Sequence, residues 1–228
     1  FSSSNYLSDA YDADFDFGTA GFAVTCWFKC ATSSAREIFI ARDNGSFNSS
    51  NPYWDMEVQA DSTLRWTGVG ASDAWENLSG EIVDDGVWRM AVGIITATTS
   101  ELYIDGVLVS SDAGTWGTVS NGSATINLGE RSGSSSPAPN VTLSLVRLSA
   151  TVPSAAQIRQ WYDAEKGMFV ANAECLLQSG TTDAVLDVDV DPLSGKVIVT
   201  QTDAITIFDG LAVDSKPTVN SGASEKGK

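Results

Sequence analysis

The stretch "ELYIDGVLVSS" (residues 101–111) reads as two short strands meeting at Asp105-Gly106. Asp-Gly between apolar-rich runs is a strong local signal for a two-residue β-hairpin. Gly106 supplies the positive φ such a turn needs, and Asp105 can bond to its own turn backbone. The stretch also puts Glu101, Tyr103 and Asp105 on one face of the first strand, which raises the question of an acidic site.

Similar segments flank the hairpin. "GFAVTCWFK" (21–29) alternates Phe22, Val24, Cys26 and Phe28 against Thr25, Trp27 and Lys29. "REIFIAR" (36–42), "YWDMEVQA" (53–60), "TLRWTGV" (63–69), "VWRMAVGII" (87–95), "ATINLGE" (124–130) and "VTLSLVRLS" (141–149) read the same way. Turn clusters such as "DNGSFNSSNP", "SNGS" and "RSGSSSPAPN" separate them. Short strands at regular spacing with Gly/Pro/Asn turns predict an all-β fold, two antiparallel sheets packed face to face. The pattern changes at 153: Pro153, a Ser154 cap and Ile158, Trp161 and Tyr162 at helical spacing predict one helix over about 154–166, stopped by Gly167. Residues 172–213 contain three further short strands, too few for an independent core, so they pack on the sandwich or pair with copies of themselves. The expected organisation is a sandwich over 1–152, a helix region over 153–171, a small β unit over 172–214 and a polar tail over 215–228.

Bulk composition narrows the function. Thirteen basic and 29 acidic residues give a net charge of −16, which argues against nucleic acid and against anionic membranes. The chain contains no histidine, which excludes Ser-His-Asp and Cys-His nucleophile systems and His-ligated zinc. Among the cysteines, Cys26 and Cys30 on one strand would lie about 13 Å apart, beyond the roughly 7 Å a disulfide spans. Pairing of either with Cys175 stays open. An odd cysteine count fits assembly in a reducing compartment. The chain opens at Phe1, with no charged-then-apolar leader and no apolar run of eighteen residues, so it reads as a piece of a longer or processed protein without a membrane span. Four Asn-x-Ser/Thr matches (Asn48, Asn77, Asn121, Asn140) carry little weight in a chain this rich in Ser and Thr.

In order and spacing, several segments resemble the laminin-G-like (LamG) domain of the concanavalin A-like lectin/glucanase superfamily. They are Phe1, Tyr6, Leu7; then Phe22, Val24, Trp27, Phe28, Lys29; then Trp88, Ala91, Gly93; then Leu102 through Val109, over about 1–150. Arg89 departs from the family, which often carries His there, so no role passes to it. The resemblance implies a jelly-roll sandwich. Residues 154–213 are similar to segments that follow LamG-like domains in virion proteins of tailed bacteriophages. That second resemblance implies a trimeric fibre or appendage, located on the virion and contacting other virion proteins; the alternative is an extracellular or cell-surface adhesin module.

Glycosidases of this superfamily use a Glu-x-Asp-x-x-Glu strand motif. No such motif occurs, and "ELYID" has no third carboxylate in register, so the reading is a non-catalytic protein. Sugar binding draws on aromatic faces and amide or carboxylate groups. Trp27, Trp66 and Trp88 lie in strands and read as core. Trp54, Trp75 and Trp116 lie near loops and are the candidate carbohydrate-binding residues, with Asn44 and Asn51 of the long polar loop 41–54. Because related domains often hold Ca²⁺ at a sandwich edge, Asp43, Asn44 and Asp112 are the candidate calcium donors. "DVDVDPLSG" (187–195) looks superficially like an EF-hand loop but has Pro192 and Ile198 where glycine and glutamate belong. It reads as a strand with Asp187, Asp189 and Asp191 outward.

Overall fold

In the computed structural model the described residues are 6–32, 35–132, 140–169, 185–202, 204–209 and 212–215. Cys175 and the tail beyond 215 lie outside them, as does Phe1. Internal contacts divide the chain into two units, 1–170 and 171–228.

Among the described residues of the first unit eleven strands form two antiparallel sheets. The six-stranded sheet is ordered β1 (Leu7–Asp9), β10 (Thr125–Leu128), β3 (Glu37–Asp43), β4 (Tyr53–Val58), β5 (Thr63–Val69), β6 (Ala74–Ile82). The five-stranded sheet is ordered β11 (Val141–Ser149), β2 (Phe22–Cys30), β7 (Trp88–Ile95), β8 (Thr99–Ile104), β9 (Val107–Ala113). Alternation decides which residues face inward. On β2 the inward set is Phe22, Val24, Cys26, Phe28 and Cys30; on β4 it is Trp54, Met56 and Val58. Both cysteines are buried and free, and loss of water around the thiols pushes each up to about 12.

A row of aromatic rings runs through this core. Phe22, Trp54, Trp66, Trp75 and Trp116 follow one another with centroid separations of 5.7, 5.7, 6.2 and 5.6 Å, tilted or edge-on. Two strand glycines make room for it. A Cβ on Gly68 would stand 2.3 Å from Trp75, and one on Gly93 would stand 2.5 Å from Trp66.

The helix α1 (Ala155–Glu165) is set by a reciprocal capping box. Ser154 Oγ accepts from the Gln157 backbone, and Gln157 Oε1 accepts from Ser154 N–H. It covers the outer face of the five-stranded sheet, where Trp27, Met90, Val92, Tyr103 and Ile158 form a second apolar layer. Trp27 stacks on Tyr162 and Phe169 at 5.8 and 4.2 Å, and its Nε1–H donates to Glu165 at 2.7 Å. Arg147 of β11 pairs with the same carboxylate at 2.6 Å.

The opening hairpin forms β8 and β9. Asp105 (φ 52°) and Gly106 (φ 80°) both take the left-handed conformation of a type I′ turn. The acids of this stretch are in structural use: Glu101 accepts from the Tyr103 hydroxyl at 2.8 Å, and Asp105 accepts from the Met90 backbone N–H at 2.9 Å.

In the second unit the described strands are β12 (Val185–Val190), β13 (Val197–Gln201), β14 (Ile205–Asp209) and β15 (Ala212–Ser215), an antiparallel meander. The sequence reading expected three strands; the fourth forms because the chain doubles back after Asp209 and pairs again with β14. Asp187 and Asp189 lie in β12 as read, each accepting the N–H of the next residue (Val188, Val190), and Asp191 starts the turn by accepting from Leu193 N–H. Among the described residues no helix is long and apolar enough to cross a membrane.

Candidate functional site

A single cross-strand row spans the six-stranded sheet: Ser8, Asn127, Ala41, Asp55, Thr67, Glu76. Because Trp54 and Met56 point into the core, this row lies on the outer face. At its β1–β10 end it opens into a cleft of about 260 Å³ lined by Tyr6, Ser8, Thr125, Asn127, Glu130, Arg131 and Ser132. Every lining side chain carries a hydrogen-bonding group. Asn127 Nδ2 donates to Thr125 Oγ1 at 3.0 Å and to Ser132 Oγ at 2.9 Å, which fixes the amide plane. Tyr6 is 48% exposed at the rim.

Arg131 anchors the floor. It is 7% exposed, with its guanidinium 3.4 Å from the Phe47 ring centroid and 4.6 Å from that of Tyr53. Its Nη1 pairs with Asp55 at 3.1 Å. Arg131 Nε and Glu130 Oε2 are both shut off from water and have no hydrogen-bond partner among the described residues.

Asp55 and Glu57 project from the same face of β4, and both are fully buried. Glu57 is held by Arg36, Arg65 and the Gln59 amide. Burial, and then the charge of Glu57, push the Asp55 carboxyl up to about 7 against the pull of Arg131, Arg36 and Arg65. The pair is a buried ion network closing the sheet face, and neither carboxylate reaches solvent. In the sequence the pair is visible only as the "DME" of "YWDMEVQA", with no hint of its distant arginine partners.

The polar loop after β3 borders the cleft. Asp43 accepts from Gly45 N–H at 2.8 Å and from Ser132 N–H at 3.2 Å, and burial raises its carboxyl above the ordinary range. Asn44 Nδ2 donates to Asn51 Oδ1 at 2.8 Å and to Ser123 Oγ at 2.9 Å. The two asparagines singled out in the sequence are thus brought together. The calcium candidates are not. Asp43 ends a strand of the six-stranded sheet, Asp112 belongs to β9 of the other sheet, and among the described residues no three acidic, His or Cys side chains form a metal-holding group.

The tryptophan candidates lie elsewhere. Trp54, Trp75 and Trp116 are 0–2% exposed members of the core ring row, so no ring face is open to a sugar. Their Nε1 groups are buried and have no hydrogen-bond partner among the described residues. The physical reason is alternation. Trp54 shares the inward face of β4 with Met56 and Val58, and Trp75 and Trp116 fill space that glycines leave open. A residue near a loop is not thereby a surface residue. The cleft itself was missed because its walls come from residues 6–8, 125–127 and 130–132. Two of the glycosylation-type asparagines, Asn77 and Asn121, are buried.

Solved structures share this architecture. The receptor-binding domain of botulinum neurotoxin C/D mosaic serotype superposes with a TM-score of 0.56 at 11% identity, over 95% of this chain and 55% of that one. The binding domain of Paraclostridial Mosquitocidal Protein 1 gives 0.57 at 12%, over 98% and 59%. Mouse laminin alpha1 chain, domains LG4-5, gives 0.52 at 11%, over 64% and 40%. At such identities the likeness is one of fold, and the chain spans little more than half the length of the first two. No curated protein matches the chain in sequence. Residues 2–159 match the Laminin_G_3 family of the concanavalin A-like lectin/glucanases superfamily, and with more than half its length inside that match the chain belongs to this family.

Proposed function

We propose that the chain is a non-catalytic, lectin-type binding module that grips glycan through the polar cleft at the β1–β10 edge. The cleft carries the reading. A concave patch of hydroxyls, one fixed amide and the charged Glu130 and Arg131, with one aromatic ring at its rim, suits polyhydroxylated ligands. The fold supports it: a structure of similar fold is the binding domain of a botulinum neurotoxin in complex with "SialylT". Trypanosoma rangeli sialidase shares the fold at a TM-score of 0.50. Catalysis has no support in the groups present. The chain has no histidine and no Glu-x-Asp-x-x-Glu, and the Asp55–Glu57 pair is buried in ion contacts. The test is a glycan array probed with the full chain and with Tyr6→Ala and Thr125→Ala. Specific binding that both variants weaken supports the reading; an array with no binder, or variants that bind like the parent, removes it.

The setting we propose is a bacteriophage virion, in a tail or capsid fibre displaying this module toward the host surface, with an extracellular or cell-surface adhesin as the alternative. The support is the resemblance of 154–213 to segments that follow such domains in virion proteins. A second reading, a purely structural trimeric fibre or decoration element, is favoured by one observation. Val185, Leu186, Val188 and Val190 of β12 are all 53–64% exposed, an apolar strand at a sheet edge. Sedimentation equilibrium separates them: a trimer that binds no glycan supports the structural reading, and a glycan-binding monomer argues against it.

A further inference from the structure

The loop between β3 and β4, "NGSFNSSN" (44–51), carries one aromatic ring among hydroxyls and amides. Binding loops of antibodies share that composition, a rigid aromatic anchor with small polar groups beside it. Hydrogen bonds hold the loop in one shape. Asn44 Nδ2 donates to Asn51 Oδ1 at 2.8 Å and to Ser123 Oγ at 2.9 Å, and Asn48 Oδ1 accepts from the N–H groups of Ser50 and Asn51 at 3.0 and 3.1 Å. Phe47 stands in the middle of it and is 37% exposed.

Three distances tell which side of the Phe47 ring is open. The Arg131 guanidinium lies over the ring, 3.4 Å from its centroid, so the line between them runs close to the ring normal. The Tyr53 centroid is 5.3 Å from that of Phe47 and 4.6 Å from the guanidinium. A triangle with these sides is acute at Phe47, so Tyr53 stands on the same side of the ring as Arg131. Neither of them touches the opposite face. The cation and Tyr53 fix the ring plane, so a ligand meets a preformed surface and little ordering is left to do on binding. Ser46 and Asn48, on either side of Phe47 in the chain, are exposed. The Ser46 hydroxyl and the Asn48 amide nitrogen take no hydrogen bond among the described residues.

We propose that the free face of Phe47 is a second sugar-stacking subsite, with Ser46 and Asn48 meeting hydroxyls of the stacked sugar, and that the chain therefore takes an oligosaccharide rather than a single sugar. A pyranose has an apolar C–H face and a polar rim, which match an aromatic face flanked by a hydroxyl and an amide. The subsite adjoins the cleft. Arg131 and Ser132 line the cleft, Arg131 carries the Phe47 ring, and a Cβ on Gly45 would stand 3.7 Å from the Ser132 carbonyl oxygen. This inference rests on the lectin reading above.

The experiment is an NMR titration of the full chain. The probes are cellotetraose, maltotetraose, mannotetraose and chitotetraose, each beside the methyl glycoside of its own sugar. In the unaltered chain a tetrasaccharide that binds should move the Phe47 ring signals, and its own C–H protons should shift upfield over the ring. It should bind about fivefold or more tightly than its methyl monosaccharide, the order of one aromatic contact. Phe47→Leu keeps an apolar side chain over Arg131 but removes the aromatic face, and should erase that gap; Phe47→Tyr should keep it. Reading the ring signals on the unaltered chain covers the case of a variant that loosens the loop. Ring signals that stay still while a tetrasaccharide binds, equal affinity for the monosaccharide, or a length preference that Phe47→Leu leaves intact overturns the inference. If Tyr6→Ala weakens the same ligand, the lectin reading stands without it. Binding of none of these probes overturns the inference too, and the glycan array then decides the lectin reading by itself.

Discussion

Asp55 is a carboxyl group that the fold keeps from water, flanked by Glu57 and by Arg131, Arg36 and Arg65. Folding raises it from the ordinary carboxylate value of 3.8 to about 7, so the native state prefers its protonated form. Its contribution to stability is therefore fully present below about pH 4 and is lost as the pH climbs toward 7. Urea midpoints of the parent and of Asp55→Asn, taken at pH 5 and pH 8, check this. Relative to the variant, the parent should be more stable at pH 5 than at pH 8, and a difference that does not change with pH would refute it. Trp54 makes a second test. Truncation to Ala should cost about 3–5 kcal/mol, the range for a large aromatic lost from a packed core, measured by denaturant unfolding. At this scale the sequence was half legible. The alternation Trp54, Met56, Val58 against Asp55, Glu57 was present in "WDMEV"; that Gly68 and Gly93 make room for large rings became visible only in the packing. Reading Trp54 by its nearness to a loop overrode its parity in the strand.

The hairpin and the helix show why local elements were the most readable. A type I′ turn needs positive φ at two adjacent positions, and Asp105-Gly106 is a pair that tolerates it. Pro153, the Ser154 cap and the helical spacing of Ile158, Trp161 and Tyr162 put the helix start at Ser154, within one residue of the observed Ala155. Ser154→Ala should lower stability by about 1 kcal/mol, the usual worth of an N-cap. Glu165 binds the helix to two strands at once, through Trp27 of β2 and Arg147 of β11. Glu165→Ala should speed hydrogen exchange along 155–165 while leaving the sandwich strands protected. Uniform acceleration across both sheets would mean that the helix and the sandwich open as one unit. The strand β15 was not legible, because four residues with a charged member carry no period of their own and are recruited only by the edge of β14.

At the scale of the whole molecule, function depends on what the topology gathers. The cleft draws on parts of the first unit far apart in sequence, from Tyr6 to Ser132, because β1 pairs with β10 and β10 with β3. No local motif announces such a site, whereas the hairpin, the strand order and the family signature all sit in contiguous stretches. The exposed apolar strand β12 belongs to this scale too. Under the trimeric reading proposed above, replacing Leu186 and Val188 with Asp should lower the mass to that of a monomer in analytical ultracentrifugation, and an unchanged mass would exclude β12 from such a contact. The row of indoles has an optical consequence. Trp54, Trp66, Trp75 and Trp116 stand 5.6–6.2 Å apart at fixed tilts, close enough for their transition dipoles to couple. The native protein should show an exciton couplet in circular dichroism and strongly depolarised emission as excitation hops between rings. The core thus carries its own spectroscopic ruler, and loss of the couplet on denaturation would report the loss of packing on the inner face of the six-stranded sheet, where Trp54, Trp66 and Trp75 stand on neighbouring strands.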